Sequence, residues 1–211
     1  MTKPKGHHAG RVFLGQDGNL HLNGAKLFNA DDVDITSQLG ALPNLVSAAA
    51  SAEHAAGVIG TGVAPVTYRR TENGLIITEI KVDLKGLASK NTANDVIGLA
   101  AGGVAYIGRN VVAKNGIIFK IEMICVQLPA TGDTDINVVA NASAELEYDG
   151  AGGTTYGVDG GVWTAGKVVE NLVQGLTANH YFYLTAGGGA TAGTYSAGQF
   201  VIRLHGHPVL T

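Results

Sequence analysis

The side chains of this chain that could do chemistry are few, and they are scattered. His205 and His207, two apart, would share one face of a strand, and His7-His8 make a second pair. A zinc site needs further nitrogen or sulfur donors at set spacing, and neither pair has cysteines or carboxylates placed to supply them. Asp133 and Asp135, in T-G-D-T-D, have the oxygen-rich start of a calcium loop. The glycine and the distal glutamate that complete such a loop do not follow, so ordinary loop solvation accounts for both. Asp31, Asp32 and Asp34 fall short in the same way. No metal is expected.

Catalysis by side chains alone fares no better. Glu145, Glu147 and Asp149 could provide the two carboxylates of glycoside hydrolysis, but a polar strand edge offers the same pattern. The serines lie in polar loops or in an alanine-rich stretch, without the G-x-S-x-G context of an activated nucleophile. Cys125 is the one cysteine, on the apolar face of its segment, where a thiol behaves as a small hydrophobe. The loop Gly187 to Gly193 lacks the Lys-Ser/Thr that would make it a phosphate cradle, and reads as a flexible hairpin connection. Tyr181, Tyr183, Tyr195 and Trp163 could line a sugar surface, although such residues in β proteins more often complete a core or an interface. The expectation is a protein that is not an enzyme, with no catalytic, cofactor-binding or metal residue.

Behind these residues lies an all-β pattern. The segment Ile117 to Leu128 carries it, bounded by Asn115-Gly116 and Pro129. Ile117, Phe119, Ile121, Met123 and Cys125 alternate onto one face, with Lys120 and Glu122 on the other. Past Glu122 that second face turns apolar too, through Ile124, Val126 and Leu128, so the far half of the strand should be covered on both sides. Further strands are expected at Val66–Arg70, Leu75–Leu84, Val96–Leu99, Val104–Ile107 and Ile136–Val139. Glu72-Asn73-Gly74 turns the first into the second. Val168 to Leu176 reads as a helical turn, and residues 140–165 as long loops anchored by Trp163. Tyr181–Leu184 and Gln199–His205 look like a strand pair, with Phe200, Ile202 and Leu204 inward and Val201, Arg203 and His205 outward. Strands spaced in this way predict an antiparallel β-sandwich, jelly-roll-like, over residues 66–211.

The N-terminal part is different. Asp17-Gly18 and Asn23-Gly24 are hairpin turn pairs between Val12–Leu14, Leu20–Leu22 and Lys26–Phe28, a meander too small to stand by itself. An alanine-rich helix is expected over residues 43–56. Residues 1–57 therefore read as an extended arm, and 58–65, G/V/A-rich and ending in Pro65, as a linker. Met1 to Arg11 is polar and basic without a signal-peptide core. No run approaches the roughly 20 apolar residues that cross a bilayer, so no membrane partner is expected.

Composition points to assembly. Hydrophobic residues make up 45% and charged residues 15%, well under the roughly 25% typical of soluble domains. A surface so poor in charge suits burial against other chains. The net charge of −3 argues against a nucleic-acid partner, and one cysteine against covalent staples, in keeping with assembly in a reducing cytoplasm.

Three stretches resemble known proteins: Y-R-R-T-E-N-G-L-I-I-T-E-I-K-V-D-L-K-G-L-A-S (Tyr68 to Ser89), A-Y-I-G (Ala105 to Gly108) and Y-S-A-G-Q-F-V-I-R-L (Tyr195 to Leu204). They are similar in texture to tailed-bacteriophage structural proteins of the head decoration, cement or head-fibre type. That resemblance implies a sandwich displayed on the virion capsid surface, often as a homotrimer, with the major capsid protein as partner and the N-terminal arm as attachment. G-Q-D-G-N-L-H-L-N-G resembles phage fibre attachment regions, which keeps a fibre or glycan-binding receptor module as the alternative.

Overall fold

The computed structural model describes residues 11–14, 20–23, 53–153, 157–173, 176 and 178–209. The chain divides into two compact units, Met1–Ser47 and Ala48–Thr211. In the first, strand β1 (Arg11–Leu14) pairs antiparallel with β2 (Leu20–Asn23), Arg11 opposite Asn23. This is the first hairpin of the expected meander. Its third strand and the Asp17-Gly18 turn lie outside the described residues, as does the expected helix up to residue 52. Glu53 to Ala55 is irregular, and Ala56–Val58 is a 3-10 turn. Helix cannot continue there because the backbone N–H groups of Ala55 and Gly57 are committed to the carbonyls of Tyr106 and Val104, at 2.9 and 2.7 Å.

The second unit holds β3 (Val66–Glu72), β4 (Leu75–Asp83), β5 (Ala88–Ser89), β6 (Tyr106–Arg109), a short helix α1 (Val112–Asn115), β7 (Ile117–Ala130), β8 (Ile136–Asn141), β9 (Val168–Leu172), β10 (Tyr181–Ala186), β11 (Gly193–Thr194) and β12 (Ala197–His207). All pairings are antiparallel. A five-stranded sheet runs β3-β4-β12-β7-β9, a three-stranded sheet runs β6-β10-β8, and β5 pairs with β11. One apolar core joins the two larger sheets. Ile80, Val82, Ile121, Met123, Phe200 and Ile202 come from the first, and Ile107, Ile136, Val138, Phe182 and Leu184 from the second. This is the antiparallel sandwich that the alternation predicts. Asn73 and Gly74 close the β3–β4 hairpin with φ of 50° and 77°, the two positive values that a type I′ turn needs.

Five expectations are corrected. Val168–Leu172 is strand β9, not a helical turn: its β-branched start pairs with β7, Val168 opposite Ile124. The segments Tyr181–Leu184 and Gln199–His205 are both strands, but β10 and β12 lie in different sheets and do not pair with each other. The glycine-rich loop between them, together with the β5–β11 pair, carries the chain from one layer to the other. Val96–Leu99 forms isolated bridges, Val96 with Thr185 among them, and no regular strand. In β7 the inward set begins at Ile118, while Ile117 is exposed, because a register shift between His205 and Gly206 of β12 offsets the alternation at Phe119. Residues 58–62, read as linker, are tied to the sandwich. Val58 is fully buried, and the N–H groups of Thr61 and Gly62 both donate to the carbonyl of Lys85.

Candidate docking face

The inner face of the five-stranded sheet is spent on the core, so its outward side chains are the ones free to meet a partner. Antiparallel register places them in rows across the strands. The first row is Val66, Lys81, Val201, Ile124 and Val168. The second is Tyr68, Glu79, Arg203, Glu122 and Glu170, and the third is Arg70, Ile77, His205, Lys120 and Leu172, of which Ile77 is itself buried.

The second row, three carboxylates and one guanidinium, is partnered by Arg203 within it and by Lys120, Lys81 and Arg70 of the rows beside it. Arg203 donates from Nε to Glu79 Oε2 at 3.1 Å and from Nη1 to Glu122 Oε1 at 2.9 Å. Lys120 Nζ donates to Glu170 Oε2 at 3.0 Å. Partial burial alone would lower the Arg203 pKa, but the hydrogen bonds and charges of Glu79 and Glu122 outweigh it and raise the guanidinium above its usual value. These ions are already partnered, so the row is a brace across the strands with little free charge to offer.

The first row is apolar except for Lys81, whose ammonium lies over the Tyr68 ring at 5.0 Å. Beyond it β7 bulges, with Gln199 opposite Gln127 and then Phe200 opposite Cys125, leaving Val126 unpaired between them. There Val126 stands 53% exposed, Leu128 46% and Val63 66%. The far half of β7, expected to be covered on both faces, is thus open on one. Val63, Ala64, Val66, Tyr68, Val126 and Val201 line a groove of about 440 Å³ at this end of the sheet, with Lys81, Asp83 and Gln199 at its polar margin.

No protein-family model, no curated protein and no solved structure matches this chain.

The residues singled out for chemistry are not brought together. His205 is half-buried and His207 exposed, and both rings approach Phe119, at 6.4 and 4.7 Å between centroids. Burial, with Lys120 nearby, lowers the His205 pKa, and its Nε2 is buried without a hydrogen-bond partner. Glu145 and Glu147 are exposed, and Asp149 is paired with Lys90 at 2.8 Å. Cys125 is fully buried, and burial raises its thiol pKa. Tyr183, Tyr195 and Trp163 are core residues, leaving only Tyr181 of that set partly accessible. Burial pushes the Tyr183 phenol up to about 12, and its hydroxyl donates to the Ser143 carbonyl at 2.7 Å. Trp163 donates from Nε1 to the Ile136 carbonyl at 2.8 Å and meets the Phe200 ring edge-on at 5.2 Å. Among the described residues no group of three or more His, Cys, Asp or Glu side chains is placed to hold a metal ion. His7, His8, Asp31, Asp32 and Asp34 lie outside the described residues.

Asp133 has a role that spacing did not reveal. It is buried, and its carboxylate accepts from the backbone N–H of Asp135 at 3.2 Å and of Gly187 at 3.0 Å. Gly188 N–H donates to Asp135 Oδ2 at 3.0 Å. The start of the glycine loop, read as a flexible connection, is clamped by this aspartate pair. The signal available in sequence was a D-x-D facing a glycine run, too common to single out.

Proposed function

We propose that the chain is a structural protein of a tailed-bacteriophage virion, a decoration or cement protein held on the capsid exterior, and that the outer sheet face is its contact with the major capsid protein. The observation that carries the reading is the uncovered apolar end of this face, where the Val66–Val168 row meets Val126, Val63 and the groove. Contiguous exposed apolar surface marks a partner site, and an apolar centre beside a satisfied polar rim has the anatomy of one. At about 4.8 Å per strand, five strands span about 24 Å, and the nine residues of β4 run about 30 Å. The resulting roughly 700 Å² is close to the ~800 Å² per partner of a standard interface. The phage assignment itself rests on the resemblance of Tyr68–Ser89, Ala105–Gly108 and Tyr195–Leu204. The low charge content is in keeping with it.

In this reading the action is mechanical: each subunit covers a seam between neighbours, and repetition around a symmetric shell multiplies a modest contact by avidity. No turnover and no cofactor belong to it. A glycan-gripping fibre module is the weaker reading, because Tyr183, Tyr195 and Trp163 are committed to the core.

The test is occupancy on capsids stripped of the protein. Val126→Glu combined with Val63→Glu places two charges in the docking face at exposed positions. We expect capsid binding to fall at least 100-fold, with the thermal midpoint of the free protein unchanged. Undiminished binding by the double variant would remove the face from the proposal.

A further inference from the structure

Among the described residues the five-stranded sheet ends at β9, and half of that strand's backbone groups have no partner. Cys125 N–H donates to the Lys167 carbonyl at 3.0 Å, and Val173 N–H to the Phe119 carbonyl at 2.8 Å. With Met123 opposite Val169 and Ile121 opposite Asn171, the residues hydrogen-bonded to β7 are therefore the odd-numbered ones. The N–H and C=O groups of Val168, Glu170 and Leu172 point away from the sheet, along its open edge. Their side chains share the outer face, Val168 53% and Leu172 71% exposed.

We infer that β9 pairs antiparallel with β9 of a second copy of this chain, about a two-fold axis through Glu170. The sequence of the strand fits its own reverse. In that register Val168 faces the second copy's Leu172 and Leu172 faces its Val168, two apolar cross-strand pairs between side chains that are otherwise in water. Each of the three facing pairs exchanges two backbone hydrogen bonds, about six in all. Glu170 meets its own counterpart at the axis, a repulsive pair by itself, but each Glu170 already holds Lys120 at 3.0 Å. The centre of the contact is then two acids and two bases, with no net charge. The product is a continuous sheet of ten strands, five from each copy, with its two β9 edges removed from solvent. This contact closes at two subunits, unlike the trimer that the resemblance implies. It uses the edge of the sheet and not its face, and it stands or falls independently of the capsid reading.

The experiment is performed on the purified full chain, without capsids. Light scattering should give twice the 21.6 kDa chain mass. Glu170→Cys should form a disulfide-linked dimer under mild oxidation, since facing residues of a hydrogen-bonded pair lie about 5.5 Å apart, within disulfide range. Leu172→Lys, which sets an ammonium against Val168 at an exposed position, should reduce the mass to a monomer with unchanged circular dichroism. Glu170→Pro should do the same, because it removes an N–H that faces solvent in the single chain, where edge strands tolerate proline. A monomer or trimer for the unaltered chain overturns the inference. So does a dimer that survives both Leu172→Lys and Glu170→Pro, or one in which Glu170→Cys fails to cross-link.

Discussion

Single residues decide how the long loops are held. Asp133 accepts two backbone hydrogen bonds in a buried position, and bonds to a charged acceptor each contribute about 1.5–3 kcal/mol. Asp133→Ala should therefore cost about 3 kcal/mol in urea unfolding. A cost under about 0.5 kcal/mol would mean the clamp is idle. Two glycines make a matched comparison. A methyl at Gly187 would come within 1.9 Å of Asp135 Cγ, whereas Gly74, at φ +77°, has nothing within 4 Å. Gly74→Ala should cost about 1 kcal/mol, from the left-handed backbone alone. Gly187→Ala should cost clearly more, because a backbone of ordinary φ there is pressed against Asp135 and the clamp must move. His205 gives a pH signature. Its pKa is lowered in the folded chain, mainly by burial and also by Lys120, so the unfolded chain binds more protons as pH falls through the ordinary histidine range. Stability is full above about pH 6.5 and declines as the pH drops toward the lowered value. His205→Gln should flatten this decline in denaturant titrations between pH 7.5 and 5, and an unaltered slope would show that His205 is not its source. The Gly74 turn was legible in the sequence, whereas the roles of Asp133, Gly187 and His205 were not. Each of those three depends on what lies opposite in space, and spacing along the chain reports only what lies on the same strand.

At the scale of the element, alternation was the readable signal, and it was read correctly where a strand is straight. In β12, Phe200, Ile202 and Leu204 face the core and Val201, Arg203 and His205 face out, as the period of two requires. Phe200→Ala should accordingly cost about 3–5 kcal/mol, and the adjacent Val201→Ala less than about 1 kcal/mol. Equal losses in thermal or chemical unfolding would mean that the two faces are not distinct. Legibility failed where the period is broken or the partner is remote. The offset opposite His205/Gly206 exchanged Ile118 for Ile117 in β7, because a bulge changes which residues face inward without changing composition. Strand β9 reads as a helical turn because V-V-E-N-L is too short for its period to speak, and only pairing with β7 makes it a strand. Adjacency along the chain suggests that β10 and β12 pair, but they lie in different sheets. A long loop can equally well cross between layers, and here the Asp133 clamp and the β5–β11 pair take it across.

For the whole molecule, the division at Ser47/Ala48 separates two roles that can be tested apart. Among the described residues the buried core cluster runs from Val58 to Leu204, all within the second unit. A chain lacking residues 1–30 should keep its unfolding midpoint within about 2 °C and retain the apolar outer face. On the proposed reading it should nonetheless bind capsids poorly. An arm and a face joined in one chain act as two linked contacts, and linking raises overall affinity by about 100-fold or more without any new interaction. Removing the arm should therefore lower capsid affinity by about that factor, while Val126→Glu with Val63→Glu lowers it through the face alone, and the two losses together should leave no measurable binding. Occupancy unchanged by the deletion, with the midpoint also unchanged, would place the whole attachment on the sandwich and strip the arm of its assigned part. A collapsed midpoint would instead show that the first thirty residues belong to the fold of the sandwich, which is the opposite of an arm made for a partner.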